Sequence, residues 1–179
     1  MQKIFITGGS GLLASNWAVS QRNSSNVTLC FHERTVFLSG VNTILCALDS
    51  VNEIRESLRE TQPDIVMHTA GLTNVEKCEE APELAEYVNV TIAENVAIAC
   101  AKEGIRLVHI STDHLFDGNK SLLTEDAIFS PLNVYGETKA KAEEKVYAQN
   151  EKTLIIRTNF YGWGTNYRYS FSDSIITAL

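Results

Sequence analysis

The sequence predicts a doubly wound α/β fold, a parallel sheet covered by helices on both faces. Three observations carry that expectation. Short apolar runs alternate with stretches of helical composition along the whole chain. Nearly every such run is continuous rather than alternating, as strands buried on both faces require. The first run stops at a cluster of glycines that opens a helix.

Taken in order, Gln2 to Thr7 is a β-branched, apolar strand that ends at glycine. Thr7-Gly8-Gly9-Ser10-Gly11-Leu12-Leu13-Ala14 is the turn, and a helix follows to Arg22. Val27 to Phe31 and Thr43 to Leu48 are the second and third strands. Ser50 with Glu53 three residues later reads as a capping box for a helix to Thr61. Pro63-Asp64 turns into a fourth strand, Ile65 to Thr69. Residues 72–81 read as a polar loop. Pro82 suits the first turn of a long helix that Gly104 ends after Glu103. Arg106 to Ile110 is the fifth strand. Ser130-Pro131 precedes a helix from Tyr135 to Gln149, Thr153 to Ile156 is the sixth strand, and a last helix begins near Ser172 and runs to Leu179. No repeat, linker or low-complexity stretch divides the chain, so it reads as one domain over 1–179.

Composition narrows the function classes. A hydrophobic fraction of 44% supports a real core, and 21% charge suits a soluble surface. A net charge of −7 argues against a nucleic-acid partner, which calls for a basic face. It says nothing against small anions, which a helix N-terminus binds without basic residues. No apolar run is long enough to span a membrane, and the N-terminus does not read as a signal peptide. Cys30, Cys46, Cys78 and Cys100 are dispersed, without a C-x-x-C pair, and read as buried reduced thiols of a cytoplasmic protein. His32, His68, His109 and His114 show no ligand spacing, so no metal is expected.

In a parallel sheet, ligands sit at the carboxyl ends of the strands. Four features fall there. Gly9, Gly11 and Ala14 fit G-x-G-x-x-[GA], and Gly8, Gly11 and Ala14 fit G-x-x-G-x-x-[GA]; glycines let the backbone approach a pyrophosphate at the N-terminus of the helix. A plain glycine-rich βα turn is the bland alternative. His32-Glu33-Arg34 ends the second strand, where His32 and Arg34 suit the 2′-phosphate of NADP(H) and Glu33 suits NAD(H); the balance leans slightly to NADP(H). Thr69, Ala70 and Gly71 are small enough to leave room for a flat ligand, although a tight turn explains them too. Ser111-Thr112 closes the fifth strand. Tyr135 and Lys139 lie four apart on one helix face. An ammonium beside a phenol favours phenolate and lowers a pKa that is about 10 when unperturbed. An isolated pair of this kind is more often an ordinary helix start. Of the six tyrosines, however, only Tyr135 has a lysine four residues on.

The glycine turn, Ser111-Thr112 and Tyr135…Lys139 together resemble the extended short-chain dehydrogenase/reductases, which have an NAD(P)-binding Rossmann fold. Ser111-Thr112-Asp113-His114-Leu115-Phe116-Asp117-Gly118, Ser130 to Lys139, and Pro82-Glu83-Leu84-Ala85 leading to Asn89 resemble the dTDP-4-dehydrorhamnose reductase group within that family. The resemblance implies NADP(H) or NAD(H) as cofactor and a nucleotide-activated 4-keto-6-deoxy sugar as substrate. Tyr135 would protonate the C4 oxygen as hydride arrives. Lys139 would lower the Tyr135 pKa and hold the nicotinamide ribose, and Thr112 would orient the carbonyl. Asp113, His114 and Phe160 would lie near the sugar. Thr7, Gly8, Gly9, Ser10, Gly11, Leu12, Leu13, His32, Arg34, Leu48, Thr69, Ala70, Gly71 and Ile110, with Tyr135 and Lys139, would hold the cofactor.

The sequence also departs from the family pattern. Ala47-Leu48-Asp49 replaces an Asp-hydrophobic pair that holds adenine, and His114 stands where a tyrosine is common. Family members continue into further sheet structure and a substrate domain, so the chain reads as a fragment, with weak or no sugar-nucleotide turnover on its own. Surface covered in longer relatives would then favour self-association, such as a homodimer. Two other functions remain open. One is a nucleotide-sugar epimerase or dehydratase of the same superfamily. The other is a non-catalytic, cofactor-binding regulatory subunit, as the β subunit of methionine adenosyltransferase is viewed.

Overall fold

The computed structural model describes residues 1–164 and 170–178; Leu179, expected as the end of the last helix, lies outside them. Among the described residues, six strands form one sheet: β1 (Lys3–Thr7), β2 (Asn26–Phe31), β3 (Asn42–Leu45), β4 (Ile65–His68), β5 (Arg106–Ser111) and β6 (Leu154–Arg157). Their spatial order is β3-β2-β1-β4-β5-β6. Every neighbouring pair is parallel. The chain winds outward from β1 to β3, crosses back to β4, then winds outward the other way. The two halves separate between β1 and β4, where such sheets open a crevice at their carboxyl ends. The register aligns Thr7 with His68 and His68 with His109 along that edge.

The helices are α1 (Leu12–Gln21), α2 (Val51–Thr61), α3 (Val75–Glu80), α4 (Pro82–Glu86), α5 (Ile92–Glu103), α6 (Val134–Gln149) and α7 (Phe171–Ala178). Alternation along each strand divides the core. Phe5, Cys30, Val66 and Leu107 point to one face, against Ile54 and Leu58 of α2, Val96 of α5 and Val146 of α6. Ile4, Ile6, Val27 and Leu29 point to the other, against Ala14 and Ala18 of α1. On β6, Leu154 and Ile156 are 57% and 37% exposed, so this edge strand is not covered on both faces as the continuous apolar pattern suggests.

Three local differences from the sequence expectation have physical causes. β3 stops at Leu45, not Leu48; the Cys46 N–H still donates to Phe31 O at 3.0 Å, and Leu48 then turns into the core. The polar loop contains α3, started by Asn74, whose side chain accepts from the Lys77 N–H at 2.6 Å. Only Val75 and Cys78 mark its inward face, too few to reveal a period. The long helix does begin at Pro82 and end at Gly104, in the left-handed region at φ +67. Between α4 and α5, however, Tyr87–Thr91 form a π turn, which composition cannot signal.

A buried ion pair ties β6 to α6. Arg157 Nε donates to both carboxylate oxygens of Glu143 at 3.1 Å, and Nη2 donates to one at 2.8 Å. Nη1 reaches the Glu125 carbonyl at 3.0 Å, and the guanidinium lies 4.9 Å from the Phe129 ring centre. The Glu143 side chain is 4% exposed, so removing its partner strands a charge. Arg157→Met is expected to destabilise the fold by about 3–5 kcal/mol at neutral pH, read as a lowered urea midpoint.

Candidate functional site

The turn after β1 is shaped by what a side chain would meet. Gly8 has φ +69, and a Cβ there would lie 2.8 Å from the Ala70 Cα. The Gly9 N–H donates to Cys30 O at 2.9 Å, which pins the turn to β2. Gly11 caps α1 with no side-chain bond, and the first turn carries no acid. The leading N–H groups of α1 therefore open toward the sheet edge with a positive dipole end and no competing carboxylate. Ala14 is fully buried against the sheet.

Behind the turn, the Thr7 hydroxyl joins both halves of the sheet. It accepts from the Thr69 and Ala70 N–H groups at 3.2 and 3.3 Å and contacts His68 Nδ1 at 2.8 Å. Asn89, buried in the π turn, holds the next loop. Its carbonyl accepts from the Leu72 N–H at 2.7 Å, and its amide donates to Leu72 O at 3.1 Å and Thr138 Oγ1 at 3.0 Å.

The start of α6 is fixed three ways. Asn133 accepts from the Gly136 N–H at 2.8 Å, and Glu79 of α3 accepts from the Val134 N–H at 2.7 Å. Any side chain at Gly136 would overlap the His114 carbonyl, so the helix packs directly on the loop after β5. That contact brings Tyr135 beside Thr112, whose hydroxyl favours its ionised form. The same hydroxyl accepts from the His114 N–H at 3.2 Å, and the His114 ring meets the Tyr135 ring edge-on at 5.6 Å. Lys139 lies one turn deeper, 6% exposed, and its ammonium donates to Ile110 O at 2.8 Å.

These groups line one cavity of about 480 Å³, walled by Gly8, Gly11, Leu12 and Leu13 on one side and by Thr112, Tyr135 and Lys139 on the other. Residues 1–174 match the protein family described as the RmlD substrate binding domain. The chain belongs to that family. It is similar to dTDP-4-dehydrorhamnose reductase of Escherichia coli (strain K12), 40% identical over 118 residues, 64% of this chain and 39% of the relative. It is also similar to methionine adenosyltransferase 2 subunit beta of Xenopus laevis, 31% identical over 159 residues, 87% of this chain and 46% of the relative. Among solved structures, dTDP-4-dehydrorhamnose reductase of Bacillus anthracis, in complex with NADP, matches with a TM-score of 0.78 at 26% identity, over 99% of this chain and 60% of that one. The matches thus span less than half the length of these curated relatives.

In this RmlD-family chain, the sequence-expected residues Thr69, Ala70, Gly71, Ile110, His114 and Phe160 also line the cavity. Thr7 and Gly9 are buried behind it. His32 and Arg34 are exposed beyond the end of β2 and do not line it. Ser10 is not in its wall either. Leu48 is 8% exposed and packs in the core instead. Asp113 accepts from the Asn159 amide at 2.6 Å and faces a neighbouring depression with Phe116 and Arg157. Thr73, Asn89, Thr158 and Asn159 line the cavity without having been expected there, and Ser111 joins Thr112 in its wall at the end of β5. Thr73 sits in the loop at the edge, which was a positional clue; Asn89 looks like any polar helix residue in sequence. Among the described residues, no group of three or more His, Cys, Asp or Glu is placed to hold a metal, and no helix is long and apolar enough to cross a membrane.

The electrostatics correct one expectation. Burial pushes the Tyr135 phenol above its ordinary value, and the neighbouring Thr112 hydroxyl only partly offsets it. The Lys139 ammonium donates to Ile110 O at 2.8 Å. Burial in turn brings Lys139 down to about 8, with Glu143 pulling the other way. A folded-state pKa of about 8 against 10.5 means that the unfolded chain binds more protons between those pH values, so this lysine makes the fold more stable as pH rises. Relative to Lys139→Met, the parent should gain on the order of 2–3 kcal/mol between pH 7 and about pH 10, measured by denaturant titration.

Proposed function

We propose that this chain forms the cofactor-binding and proton-donating part of an NAD(P)H-dependent reductase of a nucleotide-activated 4-keto-6-deoxy sugar. The observation that carries this reading is the convergence of Tyr135, Thr112 and Lys139 on the cavity that the glycine turn walls. The similarity to dTDP-4-dehydrorhamnose reductases supports the substrate class, and the NADP complex of one of them supports the cofactor. The residues present fit a dinucleotide. Gly8 and Gly11 line the cavity without side chains, α1 offers uncapped N–H groups to a pyrophosphate, and the exposed His32 and Arg34 follow β2, the strand whose end such folds turn to an adenosine ribose.

A bound NADPH or NADH would supply the hydride. Thr112 orients the substrate carbonyl by hydrogen bonding. Tyr135 gives its proton to the carbonyl oxygen, completing ketone to alcohol. Its raised pKa keeps it protonated at neutral pH, the state a donor requires. Lys139 presents its ammonium at the cavity wall, where it would hold the nicotinamide ribose.

A second reading, a non-catalytic cofactor-binding subunit, is favoured by the similarity to methionine adenosyltransferase 2 subunit beta over 87% of the chain. One experiment separates them. NADPH oxidation is followed with dTDP-4-keto-6-deoxy sugars, alongside NADPH binding by fluorescence. The reductase reading expects NADPH oxidation, weaker than that of a full-length relative, that is lost in Tyr135→Phe while NADPH binding is kept. Binding without any Tyr135-dependent oxidation supports the subunit reading, and no binding at all sinks both.

A further inference from the structure

We propose that His109, braced by His68, is a positioning residue for Lys139. His68 and His109 are 1% and 0% exposed and directly opposite each other in the β4–β5 register. Their rings stack at 5.4 Å with 21° between planes. The tautomers are set by the partners. The Thr7 hydroxyl accepts two backbone N–H bonds, so its one hydrogen goes to His68 Nδ1, and the His68 hydrogen sits on Nε2. On the far side, Lys139 Nζ lies 3.4 Å from His109 Nε2. An ammonium only donates, so His109 accepts there and carries its own hydrogen on Nδ1.

That arrangement leaves His68 Nε2 and His109 Nδ1 buried with no hydrogen-bond partner. Two unpaired buried N–H groups are a cost that an apolar pair of the same size would avoid. Space-filling alone therefore does not account for imidazoles here. Instead they provide a neutral acceptor at the place where the lysine chain ends. Ile110 O and His109 Nε2 take two of the three ammonium hydrogens, and the third is left for the cavity that Lys139 lines. A string of side chains thus runs from Thr7 on β1 through His68 on β4 and His109 on β5 to Lys139 on α6. Burial and the Lys139 charge hold both rings neutral, with His68 down to about 3. The other ionisable groups nearby are Tyr135 and Glu143 on the lysine's own helix, and Glu143 is already committed to Arg157 of β6.

The functional consequence rests on the role given to Lys139 above, but the test does not need turnover. Lys139 ionisation is read in the purified chain, without cofactor, from the pH dependence of its reductive methylation, mapped by mass spectrometry. His109→Leu removes the acceptor and keeps the bulk; His109→Gln keeps an acceptor. The leucine variant should lower the Lys139 midpoint by about one pH unit, since the charged form loses a hydrogen bond, and the glutamine variant should restore most of it. Equal midpoints in parent and His109→Leu, or a glutamine variant that behaves like leucine, would overturn the proposal. Nitrogen NMR of the parent gives a second test that no folding defect can obscure: a neutral His109 ring protonated on Nδ1 is expected, and one protonated on Nε2 would overturn it. A parent that fails to bind NADPH while showing the His109-dependent shift counts against the proposed function alone.

Discussion

The parallel register at the carboxyl edge of β1, β4 and β5 is the constraint on which the rest of the site depends. Thr7, His68 and His109 fall side by side there, and the Thr7 hydroxyl bonds the backbone that leaves β4. A slip of one residue would turn each of these side chains to the opposite face. The glycine turn would then lose its seat against Ala70, and Lys139 would find no imidazole beneath it. The site is therefore placed by strand pairing first and by loops second.

Charge is handled by burial rather than by pairing at this edge. Lys139 has a backbone carbonyl and an imidazole for hydrogen-bond partners, and Glu143, whose charge acts on it, is bonded to Arg157. An unneutralised cation in the interior is costly, and such groups gather where chemistry needs them. Tyr135 is held in the opposite sense, as a protonated phenol beside a hydroxyl. The two groups are near in sequence but separated in their tasks. One is turned down to the strand, the other out to the cavity.

Much of this was legible in the residues. Continuous apolar runs and the glycine turn pointed to the sheet and its switch point, because both are set by local chemistry: burial on two faces, and backbone that tolerates no Cβ. The Tyr135 and Lys139 pairing marked the side of α6 that faces the cavity, since helical spacing alone puts them together. Where Lys139 points was not legible, because a long side chain takes its direction from tertiary partners such as Ile110 O. Leu48 was read from a position in a pattern, and packing against α2 and α5 claimed it instead. The histidines, dismissed in sequence for lacking ligand spacing, meet only because two strands that are distant in the chain lie adjacent in the sheet.

The π turn at Tyr87–Thr91 sets a rule for length in this helix. Each residue added or removed rotates the downstream helix by about 100° and shifts it by about 1.5 Å. The turn accommodates one extra residue, and Asn89 faces the Leu72 loop from within it. Deleting any one residue here would restore regular winding while sending Asn89, or everything after it, to a different side. Substitution at exposed Tyr87 leaves that arrangement standing, whereas a change in chain count does not. In this segment the number of residues is under tighter control than their identity.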